Sequence, residues 1–518
     1  MKKTLVAVGL TAMVAFIQVN AAAQQIPYLS ELLSRSGAFY KLYNEKRRAG
    51  ANLSAIEPLR KRGEEAFRQG NIPGVIELMG QGMSLLQGKQ WDEKQRFLAS
   101  LTVDTDRLVI EPNQELRVTL ERIFPADEQK AFAQPLTVTF ELVPGEYASQ
   151  APAGESAAQK LNGPIVIAER LAIAEASTNA SRRLLIPDGE YRVVAKIEAG
   201  GQKIGEIKRA VYAIGDFSIS LRQLSKTVAD IKNSTDAKVK SIAALAATPE
   251  FQIQRLSALG KSRGQDEINV IQELDRIEAT LAALSKGQNP FSSERGELER
   301  AYQASDGALV PYRVYVPASY DEKNARPLVL MLHGALGDEK YYFSPLFDPE
   351  VVKGEAERRG YILAGVNGRS RFPTYSGLSE EDSFEVIKAV TRDYKIDPSR
   401  IYLTGHSMGG FGTWLIAASK PGLFAAIAPM SSGVPAQGDG LTALLGKVKG
   451  VPALVVQGAR DGIWPPERSR AAVEAAQKAG MKVSLLEIPD ADHVGIIGAS
   501  FAAVLDFFEK NSKPATAK

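Results

Sequence analysis

The spacing of hydrophobic residues changes along the chain, and each change predicts a different kind of element. From Ile26 to Gln90 apolar residues recur at helical spacing, as in Leu29, Leu32 and Leu33 and then Ile72, Val75, Ile76 and Leu78, with breaks at Ala49-Gly50 and Gly70. This predicts two to four antiparallel helices. From Leu101 the period becomes two: Leu101, Val103, Leu108 and Ile110 alternate with polar neighbours, and Leu116 to Leu120 and Leu136 to Phe140 repeat the pattern. Glu190 to Ile197 and Lys203 to Tyr212 flank Gly200-Gly201, a hairpin turn signal. A run of roughly six or seven short strands over ~115 residues predicts a β-sandwich.

Ser218 to Lys286 returns to helical spacing, with Leu221, Leu224, Val228 and Ile231 as a stripe that reads as intramolecular packing. Gly287-Gln288-Asn289-Pro290 ends it. From Tyr312 onward strands are expected at 312–316, 327–332, 361–366, 400–404, 424–429, 452–457 and 482–488. Helices are expected between them at 350–359, 380–394, 408–419, 467–479 and 498–509. Runs such as Leu328-Val329-Leu330-Met331-Leu332 suit strands buried on both faces, and the alternation predicts a doubly wound, mostly parallel sheet. The expected organisation is multidomain: 24–99 helical, 100–216 a β-sandwich, 217–290 a helical hairpin or linker, and 291–518 an α/β domain. Within the sandwich, Asp188-Gly189-Glu190-Tyr191-Arg192-Val193 resembles the end-strand pattern of immunoglobulin-like modules.

Composition narrows the chemistry. In 518 residues, 63 Lys and Arg stand against 60 Asp and Glu, a net charge of +3 that gives no electrostatic case for a nucleic-acid partner. The absence of Cys excludes disulfides, thiolate metal sites and a Cys nucleophile. His333, His406 and His493 are the only histidines, which argues against a multi-His metal site. Lys2 and Lys3, the apolar run Leu5 to Val19 and Ala21-Ala22-Ala23 read as a cleavable export signal over 1–23. A periplasmic or secreted protein without a stable membrane anchor is expected.

The chemistry centres on Gly405-His406-Ser407-Met408-Gly409-Gly410, which follows the strand Ile401 to Thr404 and opens a helix at Phe411. Glycines permit the sharp strand-to-helix turn that lifts a serine hydroxyl out at the sheet edge, beside a helix N-terminus. Serine needs a base. His493 follows the last strand, and Asp461 follows the strand before it, so the order is Ser, Asp, His. Asp461 would orient the imidazole and stabilise its cation. Asp490 and Asp492 rank below it, because neighbours on a turn rarely face one another's ring. A neutral His493 acting as base implies activity rising with pH around the usual imidazole value of about 6.5. The N–H groups of Ala335 and Met408 are the expected oxyanion donors. His406 is expected to point away from Ser407, and His333 to brace the loop His333 to Gly337. Tyr341, Tyr342, Tyr375 and Trp464 are candidates to line a substrate pocket.

Together with Tyr312 to Pro317, His333-Gly334 and Asp397 to Arg400, this motif resembles secreted bacterial serine esterases of the α/β-hydrolase fold. The likeness is to the carboxylesterase group related to feruloyl esterases, polyester depolymerases and prolyl-oligopeptidase-type hydrolases, over about residues 296–512. The resemblance implies hydrolysis of a small-molecule or polymer-linked ester through an acyl-enzyme, without metal or organic cofactor. Two other readings stand beside it: a prolyl-oligopeptidase-like peptidase, and a non-catalytic envelope binding or scaffold protein with a vestigial hydrolase domain. Only Ser431 to Gly450 separates two consecutive expected strands, so no large lid is expected there. The region before residue 290 contains no histidine and no phosphate-binding glycine loop, and is expected to serve the hydrolase rather than add a second enzyme.

Overall fold

A computed structural model describes residues 28–145, 165–173, 177–259, 268–369, 375–436 and 438–513. The export signal read at 1–23 lies outside the described residues, as does most of the polar loop between Gly145 and Gly154. The chain forms two compact units, one comprising Tyr28–Phe39 and Ala49–Gln288, the other Tyr40–Arg48 and Asn289–Lys518.

In the first unit the helices are α1 (Leu29–Arg48, whose last residues group with the second unit), α2 (Glu57–Arg68), α3 (Ile72–Leu86) and α4 (Glu93–Ser100). Local chemistry sets their starts. Asn71 accepts from the Gly74 N–H at the head of α3, which carries Pro73 in its first turn, and Asp92 accepts from the Gln95 N–H at the head of α4. The strands are β1 (Leu101–Thr105), β2 (Val109–Ile110), β3 (Glu115–Arg122), β4 (Leu136–Pro144), β5 (Ile165–Val166), β6 (Leu171–Ala172), β7 (Ser177–Arg183), β8 (Gly189–Ala199) and β9 (Gln202–Ala213), with a short helix α5 (Glu128–Ala131) before β4.

Among the described residues these make one sheet in the order β1-β3-β7 and another in the order β2-β9-β8-β4-β5, with β6 also on β4. Alternate residues of both, including Val118, Leu120, Phe140, Val193 and Ile197, meet in one apolar cluster with Phe97 of α4. Gly200 and Gly201, at φ 55° and 83°, turn β8 into β9. Both central residues of such a turn need positive φ, which is why glycine occupies them. Helices α6 (Phe217–Lys232), α7 (Ala237–Ile242), α8 (Ala247–Leu259) and α9 (Val270–Leu284) follow, burying Leu221, Val228, Ile231, Leu256, Ile277 and Leu281.

The second unit is built on an eight-stranded sheet: β10 (Gly296–Gln303), β11 (Leu309–Val316), β12 (Arg326–Leu332), β13 (Ile362–Val366), β14 (Ile396–His406), β15 (Ala426–Met430), β16 (Ala453–Gly458) and β17 (Val483–Ile488). Its order is β10-β11-β13-β12-β14-β15-β16-β17. The pairs β10–β11 and β11–β13 are antiparallel and the rest are parallel. Helices α10 (Pro349–Arg359), α11 (Leu378–Asp393), α12 (Met408–Ser419), α13 (Gly438–Val448), α14 (Pro466–Lys478) and α15 (Ile496–Glu509) connect the strands.

Alternation along β12 shows the layering. Leu328, Leu330 and Leu332 enter one apolar cluster with Val390, Trp414, Leu445 and Val473, from α11 to α14. Val329 and Met331 enter another with Val352 of α10 and Phe501 and Phe508 of α15. Strands sandwiched in this way have no polar face, hence their uninterrupted apolar sequence. This is an α/β-hydrolase-type fold.

Three departures from the expected elements concern the second unit. Strand β10 precedes the first expected strand; its Glu297, Glu299 and Arg300 hide it, because an edge strand tolerates charge. Helix α13 lies between residues 431 and 450, where no helix is among those expected. Strand β14 begins at Ile396 rather than residue 400, running through Asp397-Pro398-Ser399.

Candidate active site

The turn between β14 and α12 places Ser407 at φ 56°, ψ −114°, a conformation most side chains avoid. Its N–H donates to the Met430 carbonyl at 2.9 Å, anchoring the turn on the neighbouring strand. A Cβ at position 409 would collide with the Leu332 carbonyl, so glycine there lets α12 start against β12. A Cβ at position 334 would lie 3.3 Å from Ser407 Cβ, which puts the His333–Ala335 loop directly against the serine. Met408 is the first residue of α12, so its N–H has no acceptor within the helix. Neither that N–H nor that of Ala335 donates to a protein group among the described residues. Gly334, the neighbour of Ala335, packs against Ser407, and Met408 follows Ser407 at the head of α12.

Asp461 and His493 are brought together. His493 Nδ1 stands 2.9 and 3.0 Å from the two Asp461 carboxylate oxygens, and both residues are buried. Asp461 Oδ1 also accepts the N–H groups of Ile463 (2.9 Å) and Trp464 (2.7 Å), which folds the loop around the carboxylate. Burial alone would raise its pKa. The charge and hydrogen bond of His493 and the Trp464 N–H outweigh burial and leave the carboxyl below its ordinary value. In the neutral ring a carboxylate facing Nδ1 requires the proton there, leaving Nε2 with a lone pair. Asp490 pairs instead with exposed Arg460, and Asp492 accepts from the Gly495 N–H at 2.7 Å.

His406 connects the serine turn to this pair. Its Nε2 lies 2.7 Å from the His493 carbonyl oxygen, which can only accept, so Nε2 is the donor. Nδ1 then accepts from the Tyr341 hydroxyl at 2.8 Å. Burial first, and the nearby His493 second, depress its pKa to about 3, so the ring is neutral in ordinary buffers. With both nitrogens engaged, it is not available as a base. The His406 and His493 ring centroids are 4.7 Å apart. His333 sits with its ring nitrogens 2.7 Å from the Gly334 carbonyl and 2.8 Å from that of Asn367, a bracing arrangement.

The aromatic pocket candidates separate into two groups. Tyr342 and Tyr375, each 1% exposed, are interior residues and not pocket lining, a correction to the sequence reading. At Tyr375 a positive φ of 52° turns the ring inward against Gly412, and its hydroxyl donates to the His333 carbonyl at 2.8 Å. Tyr341 is committed to His406. Trp464 remains half-buried beside Asp461, packed edge-on at 5.0 Å against Phe411, one helical turn beyond Ser407. Phe411, four residues after the serine on α12, was not among the residues singled out from the sequence.

The sequence reading also missed Glu339, buried behind the His333 loop, where burial raises its carboxyl pKa and Asn367 Nδ2 donates to it at 2.6 Å. Among the described residues no group of three or more His, Asp or Glu is placed to hold a metal ion.

Known proteins similar to this chain include esterases and peptidases. Residues 377–437, which span the serine turn, match the prolyl oligopeptidase family. The chain is 29% identical over 133 residues to a bifunctional acetylxylan esterase/xylanase of Neocallimastix patriciarum, covering 25% of this chain and 19% of that one. It is 30% identical over 131 residues to feruloyl esterase B of Talaromyces funiculosus, covering 23% and 35%. It is 27% identical over 191 residues to a human prolyl endopeptidase, covering 34% and 24%. A solved thermostable esterase aligns with 80% of this chain and all of its own at 15% identity and a TM-score of 0.35. The chain thus spans only about a fifth to a third of the length of the curated relatives named here. It is similar to serine esterases and to hydrolases of the prolyl-oligopeptidase type.

Proposed function

We propose that the protein hydrolyses carboxylic esters, with Ser407 as nucleophile, His493 as general base and acid, and Asp461 as the group that holds His493. The observation that carries this reading is the buried Asp461–His493 pair, with Nδ1 on the carboxylate and Nε2 left to take a proton. In the first step Ser407 Oγ bonds to the ester carbonyl carbon as its proton passes to His493 Nε2. The carbonyl oxygen becomes an oxyanion, taken up by the N–H groups of Ala335 and Met408. Collapse breaks the bond to the alcohol oxygen, which leaves with the proton from His493. Water then repeats the sequence on the acyl-serine, releasing acid and restoring Ser407. Trp464 and Phe411 supply an apolar wall beside the serine.

The second reading is a peptidase, favoured by the match of residues 377–437 to the prolyl oligopeptidase family. The same groups would then protonate a leaving amine. Turnover of matched nitrophenyl ester and nitroanilide substrates separates the two. The ester reading requires a higher kcat/KM on the ester series, while faster amide cleavage would replace it with the peptidase reading.

Two finer points belong to this proposal. The strand pattern and the Tyr191 hydroxyl, which donates to the Pro187 carbonyl four residues upstream at 2.8 Å, support an immunoglobulin-like module ahead of the hydrolase. The basic, apolar and small-residue succession at 1–23 supports export to the periplasm or beyond.

A further inference from the structure

At the end of β16 a fully buried glutamine stands behind the acid. Gln457 is 0% exposed, and its Nε2 lies 2.9 Å from the Gly458 carbonyl, 3.1 Å from the Trp464 carbonyl and 3.4 Å from Asp461 Oδ2. These three oxygens only accept, so the amide nitrogen must face them. On the other side Ser469, also 0% exposed, has its hydroxyl 2.6 Å from Gln457 Oε1 and 3.1 Å from the Ser432 carbonyl, and the shorter contact takes its single proton. Ser469 in turn accepts from the Trp464 indole N–H at 3.2 Å. The amide therefore ties both ends of the loop 458–464 that carries Asp461, and α14 locks the amide through one serine.

From this geometry we infer that Gln457, held by Ser469, is a positioning residue for the Asp461–His493 pair. The inference rests on the proposed role of that pair. Hydrogen bonds from the loop N–H groups hold Oδ1, and the Gln457 amide lies 3.4 Å from Oδ2, with the Ser431 side chain also hydrogen-bonded to the carboxylate. A group in that position sets the angle at which the carboxylate meets Nδ1, and through it the direction of Nε2. It touches neither Ser407 nor a substrate, so its effect falls on the chemical step rather than on binding. Its neutrality also matters: a carboxylate in its place would face two carbonyls and Asp461, and would favour the protonated imidazole. The other groups around His493 are the neutral His406 ring and Asp492, with the Arg460–Asp490 pair at the surface.

The test uses the full chain, with sites counted by a fluorophosphonate burst so that rates are expressed per competent serine. Gln457→Met keeps length without the amide, Gln457→Glu keeps shape but adds charge, and Ser469→Ala frees the amide to rotate. The expected result is a kcat lower by about 10- to 100-fold in Q457M with KM within about threefold. In Q457E the acid limb of the kcat/KM profile moves up by about half a pH unit or more. S469A should lose about three- to tenfold in kcat, by the usual worth of one hydrogen bond. Values per site within twofold of wild type in Q457M and S469A, with an unmoved limb in Q457E, would overturn the inference. If the Gln457 variants do not fold, an unchanged kcat per site in S469A overturns it alone. A wild-type protein that the probe does not label defeats the proposed function itself, and this inference with it.

Discussion

His406 donates from Nε2 to the main-chain carbonyl of His493 at 2.7 Å, so the residue beside the serine holds the backbone of the residue beside Asp461. Two of the chain's three histidines are thus coupled with separate duties. One is a neutral strut, and the other carries the free ring nitrogen.

The strut is testable by replacement. His406→Ala removes a buried donor to the His493 carbonyl and the acceptor of the Tyr341 hydroxyl. This should lower kcat by about 10- to 100-fold, the worth of one or two lost buried hydrogen bonds. Replacing His493 or Ser407 by Ala should cost on the order of 10⁴-fold or more. Steady-state kinetics per labelled site compare the three, and a His406→Ala loss as deep as that of His493→Ala would reverse the assignment of roles.

Acid stability follows from the same strut. The folded chain holds the His406 pKa at about 3 through burial and the nearby His493, whereas an unfolded imidazole titrates near about 6.5. Between those values the unfolded chain binds a proton that the folded chain refuses, so stability falls on acidification by about 1.4 kcal/mol per pH unit. Above about 6.5 the term vanishes. The depressed Asp461 carboxyl adds a loss in the same direction, but only below about pH 4. Urea melts of wild type and His406→Gln at several pH values should show the gap between them narrowing as pH drops from about 6.5 to 4.5. A gap independent of pH would contradict the assignment.

The Gly409 approach predicts a fold-level effect. An added methyl there must displace the Leu332 carbonyl, so Gly409→Ala should destabilise by about 3 kcal/mol or more and disturb the serine turn. A melt within about 0.5 kcal/mol of wild type would show that the turn yields more readily than its packing implies.

Much of this was readable in sequence because the informative residues act locally. Gly405 to Gly410 sits between an apolar strand and a helix, and alternation from Tyr312 onward predicts buried parallel strands wherever the apolar run is unbroken. What was not readable depends on tertiary context. The charges of β10 conceal an edge strand. In α13, Leu441, Leu444, Leu445 and Val448 have helical spacing, but Gly438, Gly440 and Gly446 among them read as loop. A glutamine at a strand end carries no mark that it will be wholly buried behind a carboxylate.

Helix α13 also bears on substrate access. It buries Leu445 and Val448, which packs residues 438–448, between β15 and β16, against the core. Rates on a long-chain ester should rise smoothly through the micelle threshold. An abrupt increase there would point to a mobile cover over the serine.

The central claim is that Ser407 is a nucleophile activated by His493. The most direct measurement is peptide mass spectrometry of the full chain after reaction with a fluorophosphonate probe, with wild type, Ser407→Ala and His493→Ala in parallel. The account predicts one phosphonyl adduct on the peptide containing Ser407, absent in Ser407→Ala and formed on the order of 10³-fold or more slowly in His493→Ala. An unlabelled wild type, an adduct on another serine, or labelling as fast without His493 would contradict it.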